Sequence, residues 1–156
     1  MRVALGSDHA GFSLKEKIRI YLASIGVEVQ DLGTNSPESV DYPDYAMSVA
    51  IQVSIRSVDR GILVCSTGVG VCIAANKVDG IRAATAWDIQ IARLSRQHND
   101  ANVLCLPGRF LEAEAAEELV RVWLETPFDG GRHQRRVDKI KELERGTQRG
   151  LLPDSD

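Results

Sequence analysis

Apolar and polar positions along this chain alternate between two periods. "RVALGS" (residues 2–7) is a short apolar run that predicts a strand. Phe12 to Ile25 then carries Leu14, Ile18, Leu22 and Ile25 on one helical stripe, and Gly26 ends it. "VEVQDLG" (27–33) predicts a second strand and "TNSPESVDYP" (34–43) a loop. Pro43 is suited to the first turn of a helix whose inward positions are Ala46, Val49, Ala50 and Val53. "RGILVC" (60–65) is apolar through its centre, as expected of a strand covered on both faces. A helix follows the glycines to about Lys77, "IRAATA" (81–86) predicts a fourth strand, and a helix capped near Asp88 runs through Arg96. "ANVLCL" (101–106) is the fifth strand; Leu111 to Leu124 is helical until Thr126-Pro127, and a last helix spans Gly131 to Arg145.

Strands alternating with helices predict βαβ units: an α/β fold with one five-stranded parallel sheet between helical layers, Rossmann-like. The pattern makes residues 1–146 one domain and 147–156 a loose tail. In such sheets ligands sit beyond the carboxyl ends of the strands. The loops that matter are therefore "SDHAG", "CSTGVG", "WD" and "PGRF".

Composition narrows the function. At 156 residues, 44% hydrophobic and 26% charged, the chain has the make-up of an ordinary globular domain. A net charge of −3 speaks against a general nucleic-acid or membrane-surface binder. No apolar run approaches membrane-spanning length, and the N-terminus meets acid and histidine too soon for a secretory signal, so the expected location is cytoplasmic. Three cysteines without a Cys-x-x-Cys pair, and three histidines without finger spacing, predict free thiols and no metal site.

The candidate chemistry centres on "ILVCSTGVGVCIAANK" (62–77), where Cys65 stands at the mouth of a glycine turn that opens a helix. A dinucleotide fingerprint fails because its third glycine position is Ile73. A cysteine phosphatase loop fails because Val71 stands where its arginine belongs, six residues after the thiol. The third reading makes the thiol a base. A helix N-terminus favours a thiolate, and the amides of the turn can stabilise an oxyanion beside it, which suits proton abstraction alpha to a carbonyl. From this stretch alone, packing at a strand end explains Cys65 equally well; packing is the better account of Cys72 and Cys105.

Other loops carry polar candidates. Asp8 and His9 leave the first strand, although Asp8 also suits an N-cap and His9 a solvated loop. His98 and Asn99 sit before the fifth strand, where a histidine serves acid–base chemistry or a helix C-terminus. Arg132 and Arg136 share one helical face with Val137 and Ile140 turned to the core, and Arg109 follows the fifth strand; such guanidinium groups fit a phosphate or a solvated, ion-paired face. This inventory fits a phosphorylated carbonyl substrate and contains no cofactor-binding signal.

The pieces "SDHAGF-LK", "DLGT", "VDYPDYA", "GILVC-TGVG--IAANK", "GIRAA", "SRQHNDANVL" and "GGRHQRRV" occur in order from Val3 to about Arg145. Together they resemble the ribose-5-phosphate isomerase type B family, grouped with galactose-6-phosphate isomerase subunits. The resemblance implies a three-layer α/β/α domain and aldose–ketose isomerisation through a cis-enediol, with no metal or cofactor. It implies Cys65 as the base, His98 as the ring-opening group, and Thr67 with the backbone of Ser66, Gly68, Val69 and Gly70 as the enediolate cradle. It further implies Asp8 and Asn99 on sugar oxygens, Tyr42 lining the pocket, and His9, Arg109, Arg132 and Arg136 on the phosphate. It also implies a homodimer or homotetramer with shared active sites. Ser66 stands where glycine is common, and Val71 stands where some relatives place a glutamate base. Ribose 5-phosphate is the expected substrate; a six-carbon aldose phosphate (allose or galactose 6-phosphate) and a non-catalytic sugar-phosphate-binding module are the alternatives.

Overall fold

Successive side chains on a strand point to opposite faces, and here each face meets its own helices. The computed structural model describes residues 1–148. Val3 and Leu5, Ile62 and Val64, Leu104 and Leu106 enter one core. Ala4, Leu63 and Cys65, Val103 and Cys105 enter the other. The strands are β1 (Arg2–Ser7), β2 (Glu28–Asp31), β3 (Arg60–Cys65), β4 (Ala83–Thr85) and β5 (Val103–Pro107). They are all parallel, in the order β2-β1-β3-β5-β4.

The helices are α1 (Phe12–Ser24), α2 (Tyr42–Ser54), α3 (Val69–Ala75), α4 (Ile89–Asn99), α5 (Ala113–Glu125) and α6 (Arg132–Gln148). The first core is closed by α1, α4 and α5 around the buried Trp123, the second by α2 and α3. These layers give the expected three-layer architecture. The chain leaves β1 for β2 on one side and reaches β3 on the other, so the loops after β1 and β3 diverge at a switch point. Among the described residues no helix is long and apolar enough to cross a membrane.

Several element ends differ from the pattern reading, each for a local reason. The strand expected over 27–33 stops at Asp31, whose carboxylate turns back to accept the Gly33 N–H. The strand expected over 81–86 is only Ala83–Thr85, because Ile81 closes a turn onto the Val78 carbonyl. Helix α4 runs three residues past Arg96 and ends at Asp100, held in the left-handed region (φ 48°) with its carboxylate bound by Arg96 and Arg82. Ile25, expected on the inner stripe of α1, is the C-cap and is 46% exposed. Ile140, expected to face the core, is also 46% exposed; the inner stripe of α6 narrows to His133 and Val137, where the helix lies against α4. The tail expected from 147 overlaps α6 through Gln148, and from 149 onward it lies outside the described residues.

Helix α1 is tied to β2 by a buried lysine. Lys15 Nζ donates to Asp31 Oδ2 at 2.6 Å and to Glu16 Oε1 at 2.8 Å. Arg19, first, and Lys15 hold the Glu16 carboxyl down to about 2. A depressed carboxylate stabilises the fold above its ordinary value, and that contribution is lost as pH falls through the folded-state value. Glu16→Gln is therefore expected to be less stable than wild type at neutral pH. The gap between their thermal midpoints should close as pH falls from 4.5 toward 2.

Candidate active site

The turn after β3 exists because one residue in it is glycine. Gly68 has φ 74°, which side chains rarely adopt. Its conformation aims the Gly68 N–H back at Cys65 Sγ, 3.2 Å away, so the sulfur receives a hydrogen bond from the turn it precedes. Thr67 Oγ1 accepts the Val69 N–H at 3.3 Å, and Thr85 Oγ1 donates to the Gly68 carbonyl at 3.2 Å, tying the turn to β4. Helix α3 starts at once, with Gly68 as its N-cap.

Neighbouring strands deliver the other carboxyl-end candidates. Ser7 pairs with Val64, so Asp8 and Cys65 leave the sheet side by side. Asp8 Oδ1 accepts the Gly11 N–H at 3.0 Å; the N-cap of α1 is Gly11 itself, so Asp8 braces the loop and does not cap the helix. A Cβ on Gly11 would lie 2.4 Å from the Val64 carbonyl oxygen, so this loop presses backbone to backbone on β3. On the other side Cys65 pairs with Pro107, and the N–H groups of Gly108 and Arg109 donate to the carbonyls of Cys65 and Ser66 at 2.8 and 3.1 Å. His9 Nδ1 accepts the Val40 N–H at 3.2 Å, which leaves Nε2 as the donor of the neutral ring. Tyr42, at the start of α2, lays its ring against Gly70.

Cys65 is 4% exposed, while Thr67 and Arg109 are open to solvent. Beyond Thr67 the surface is apolar: a cavity of about 350 Å³ is lined by Thr67, Val69, Thr85, Trp87, Pro107 and Phe110. Trp87 and Phe110 are among the most exposed aromatic side chains of the fold. Exposed aromatics grouped in this way mark a contact surface.

The remaining candidates lie elsewhere. Helix α4 returns toward the start of β5, so His98 and Asn99 sit at the amino end of the sheet. Cys65 sits level with the last residue of β5, so the two groups are separated by at least the length of that strand, about 13 Å. Arg132 and Arg136, both exposed, share the amino-end group through α6, which packs on α4. The fold thus gathers Asp8, His9, Tyr42, Cys65, Ser66, Thr67, Gly68, Val69, Gly70 and Arg109 at one end, and His98, Asn99, Arg132 and Arg136 at the other.

Two features were not legible as site residues. His133 is buried, and its ring stacks on that of His98 with centroids 4.2 Å and planes 9° apart. Its position four residues before the buried Val137 is the signal that places it on the inner face. Cys72 is only half-buried: its thiol lies 3.3 Å from the Ala83 carbonyl, and Asn76 Nδ2 donates to its sulfur at 3.6 Å. A hydrogen bond from Cys105 is the main cause that lowers Cys72 to about 6, whereas complete burial pushes Cys105 up. The Cys72 thiol thus faces the Ala83 carbonyl on β4.

Residues 3–140 match the family described as Ribose/Galactose Isomerase. Ribose-5-phosphate isomerase B of Escherichia coli K12 is 50% identical over 143 residues, covering 92% of this chain and 96% of that one. The solved ribose-5-phosphate isomerase B of Clostridium thermocellum superposes with a TM-score of 0.93 at 49% identity, covering 94% of this chain and 99% of that one. That of Mycoplasma genitalium, solved with bound ribulose 5-phosphate, superposes with a TM-score of 0.89 at 46% identity, covering 92% and 96%.

Proposed function

The chain belongs to the ribose/galactose isomerase family, and on that premise we propose that it interconverts ribose 5-phosphate and ribulose 5-phosphate. The observation that carries the reading is the Gly68 N–H on Cys65 Sγ, at the front of a helix where backbone amides suit the stabilisation of an oxyanion. Cys65 takes the C2 proton of the open-chain aldose, and the electron pair forms the C1=C2 bond of a cis-enediolate. Its oxygen is held by Thr67 and the amides from Ser66 to Gly70. The proton of the C2 hydroxyl passes to the C1 oxygen within the cis-enediolate, and the proton held on the Cys65 sulfur returns to C1 as the C2 oxygen becomes a carbonyl, completing the ketose. Asp8 and Asn99 hold sugar hydroxyls, Tyr42 bounds the pocket, and His98 opens the furanose. His9, Arg109, Arg132 and Arg136 grip the phosphate, using binding energy remote from the reacting carbons to fix them in place.

One chain cannot do all of this alone, because its base and two of its phosphate-binding arginines lie at opposite ends of the sheet. A second copy brings its amino-end group against the carboxyl-end group of the first. The exposed Val69, Trp87 and Phe110 beside the catalytic turn fit that contact. The working form is a homodimer with shared sites, or a tetramer built from such dimers, and its location is cytoplasmic.

A side-by-side assay on ribose 5-phosphate and allose 6-phosphate tests the substrate. The expected preference for the pentose is about tenfold or more in kcat/KM, the scale on which a pocket separates substrates one carbon apart. Equal or faster turnover of the hexose overturns the pentose reading, and binding without turnover of either makes the protein a sugar-phosphate binder.

A further inference from the structure

Nothing in the scheme above uses His133. It is 8% exposed in the first turn of α6, and none of the hydrogen bonds among the described residues involves its ring. The ring's contact is with the flat face of His98, parallel within 9° and centred 4.2 Å away. His98 lies half-buried in the last turn of α4, and χ2 of a histidine is broad and roughly two-fold. A stacked ring removes that freedom.

Ring opening is demanding in geometry. The O–H bond of the anomeric hydroxyl breaks and C1=O forms, while the C1–O4 bond breaks and O4 takes a proton. The imidazole that moves these protons must present its nitrogens along the hydrogen-bond directions, and small misplacements are costly. We propose that His133 is a positioning residue for sugar-ring opening, its ring face holding the His98 imidazole in the plane that the proton transfer uses. This rests on the reading of His98 as the ring-opening group.

The surroundings suit this role better than cation binding. Donor atoms of His98, Asp129 and His133 lie within 4.8 Å of one another. Stacked rings, however, keep their in-plane lone pairs in two separate, nearly parallel planes, so the two cannot both point at one ion, and tetrahedral metal sites need convergence. Arg132 and Arg136 add positive charge on the same helix. Burial first, then His98 and these two arginines, hold His133 below the usual histidine range. A neutral neighbour does not repel the charge that His98 acquires in passing a proton.

The test separates ring opening from isomerisation. Ribulose 5-phosphate is open-chain, because its C5 oxygen is esterified and cannot close a furanose on C2. Exchange of its C1 proton in D2O, followed by NMR, reports the Cys65 step alone. His133→Ala is expected to lower kcat on ribose 5-phosphate about tenfold or more while changing the exchange rate by less than about twofold. His133→Phe, which restores a flat ring, is expected to recover most of the loss. Three results overturn the proposal: unchanged turnover in His133→Ala, a parallel fall in both reactions, or a phenylalanine variant as slow as the alanine one. If His133→Ala does not fold, His133→Gln, polar but ringless, takes its place in the same comparison. His98→Asn run alongside tells the two readings apart: full ribose turnover there removes the ring-opening role from His98 itself.

Discussion

Cys65→Ala is expected to lower isomerase turnover by about 10³-fold while sugar-phosphate binding stays measurable by calorimetry. The magnitude follows from the chemistry. A positioned base contributes roughly 10²–10⁴-fold, and no other acid–base side chain in the turn from Ser66 to Gly70 can replace the sulfur. The cradle is mostly main chain and survives the substitution, as does the phosphate grip, so binding is retained. Cys65→Ser provides the control for volume: its hydroxyl is too weak an acid to act as a resident base, so it should be nearly as slow. Wild-type turnover in either variant would end the assignment of Cys65.

The second large effect is recovery of activity from two inactive chains. If each site joins Cys65 of one chain to His98 of another, then Cys65→Ala and His98→Asn subunits are each poor on ribose 5-phosphate. Refolded together, they form mixed dimers in which one site carries both lesions and the other carries none. Random assortment at a two-fold interface then restores about one quarter of wild-type activity. A site contained within one chain predicts no recovery above the two separate variants. This distinction rests on the separation of Cys65 and His98 by the length of β5, a property of topology that small side-chain movements do not change.

How much of this was legible in the sequence varies by element. The stripe Leu14, Ile18, Leu22 and the continuous run Ile62–Val64 specified their elements because burial acts directly on hydrophobic pattern. Element ends were less legible, since polar side chains such as Asp31 and Asp100 set them through bonds to backbone or to distant arginines. Ile140 misled because helical spacing tells which residues share a face, not how far along the helix that face stays covered. Cys65 and its turn could be found because Gly68 marks the required conformation. The division of the candidate residues between two ends of the sheet follows from the parallel βαβ pattern: a helix joining two parallel strands runs back to the amino end, so His98, just ahead of β5, lies opposite Cys65 at the end of β3. His133 was less legible. A histidine beside Arg132 looks like part of a solvated cationic face until the packing of α6 on α4 is known.

The backbone contact between Gly11 and Val64 has a practical corollary for anyone wishing to retarget this pocket. Where the Gly11 loop lies on β3 the surface is peptide, and substitution cannot reshape peptide without moving a strand. If Cys65 is the base, altered substrate choice would come from side chains such as Tyr42 and Arg109. Libraries aimed there would leave this backbone platform untouched.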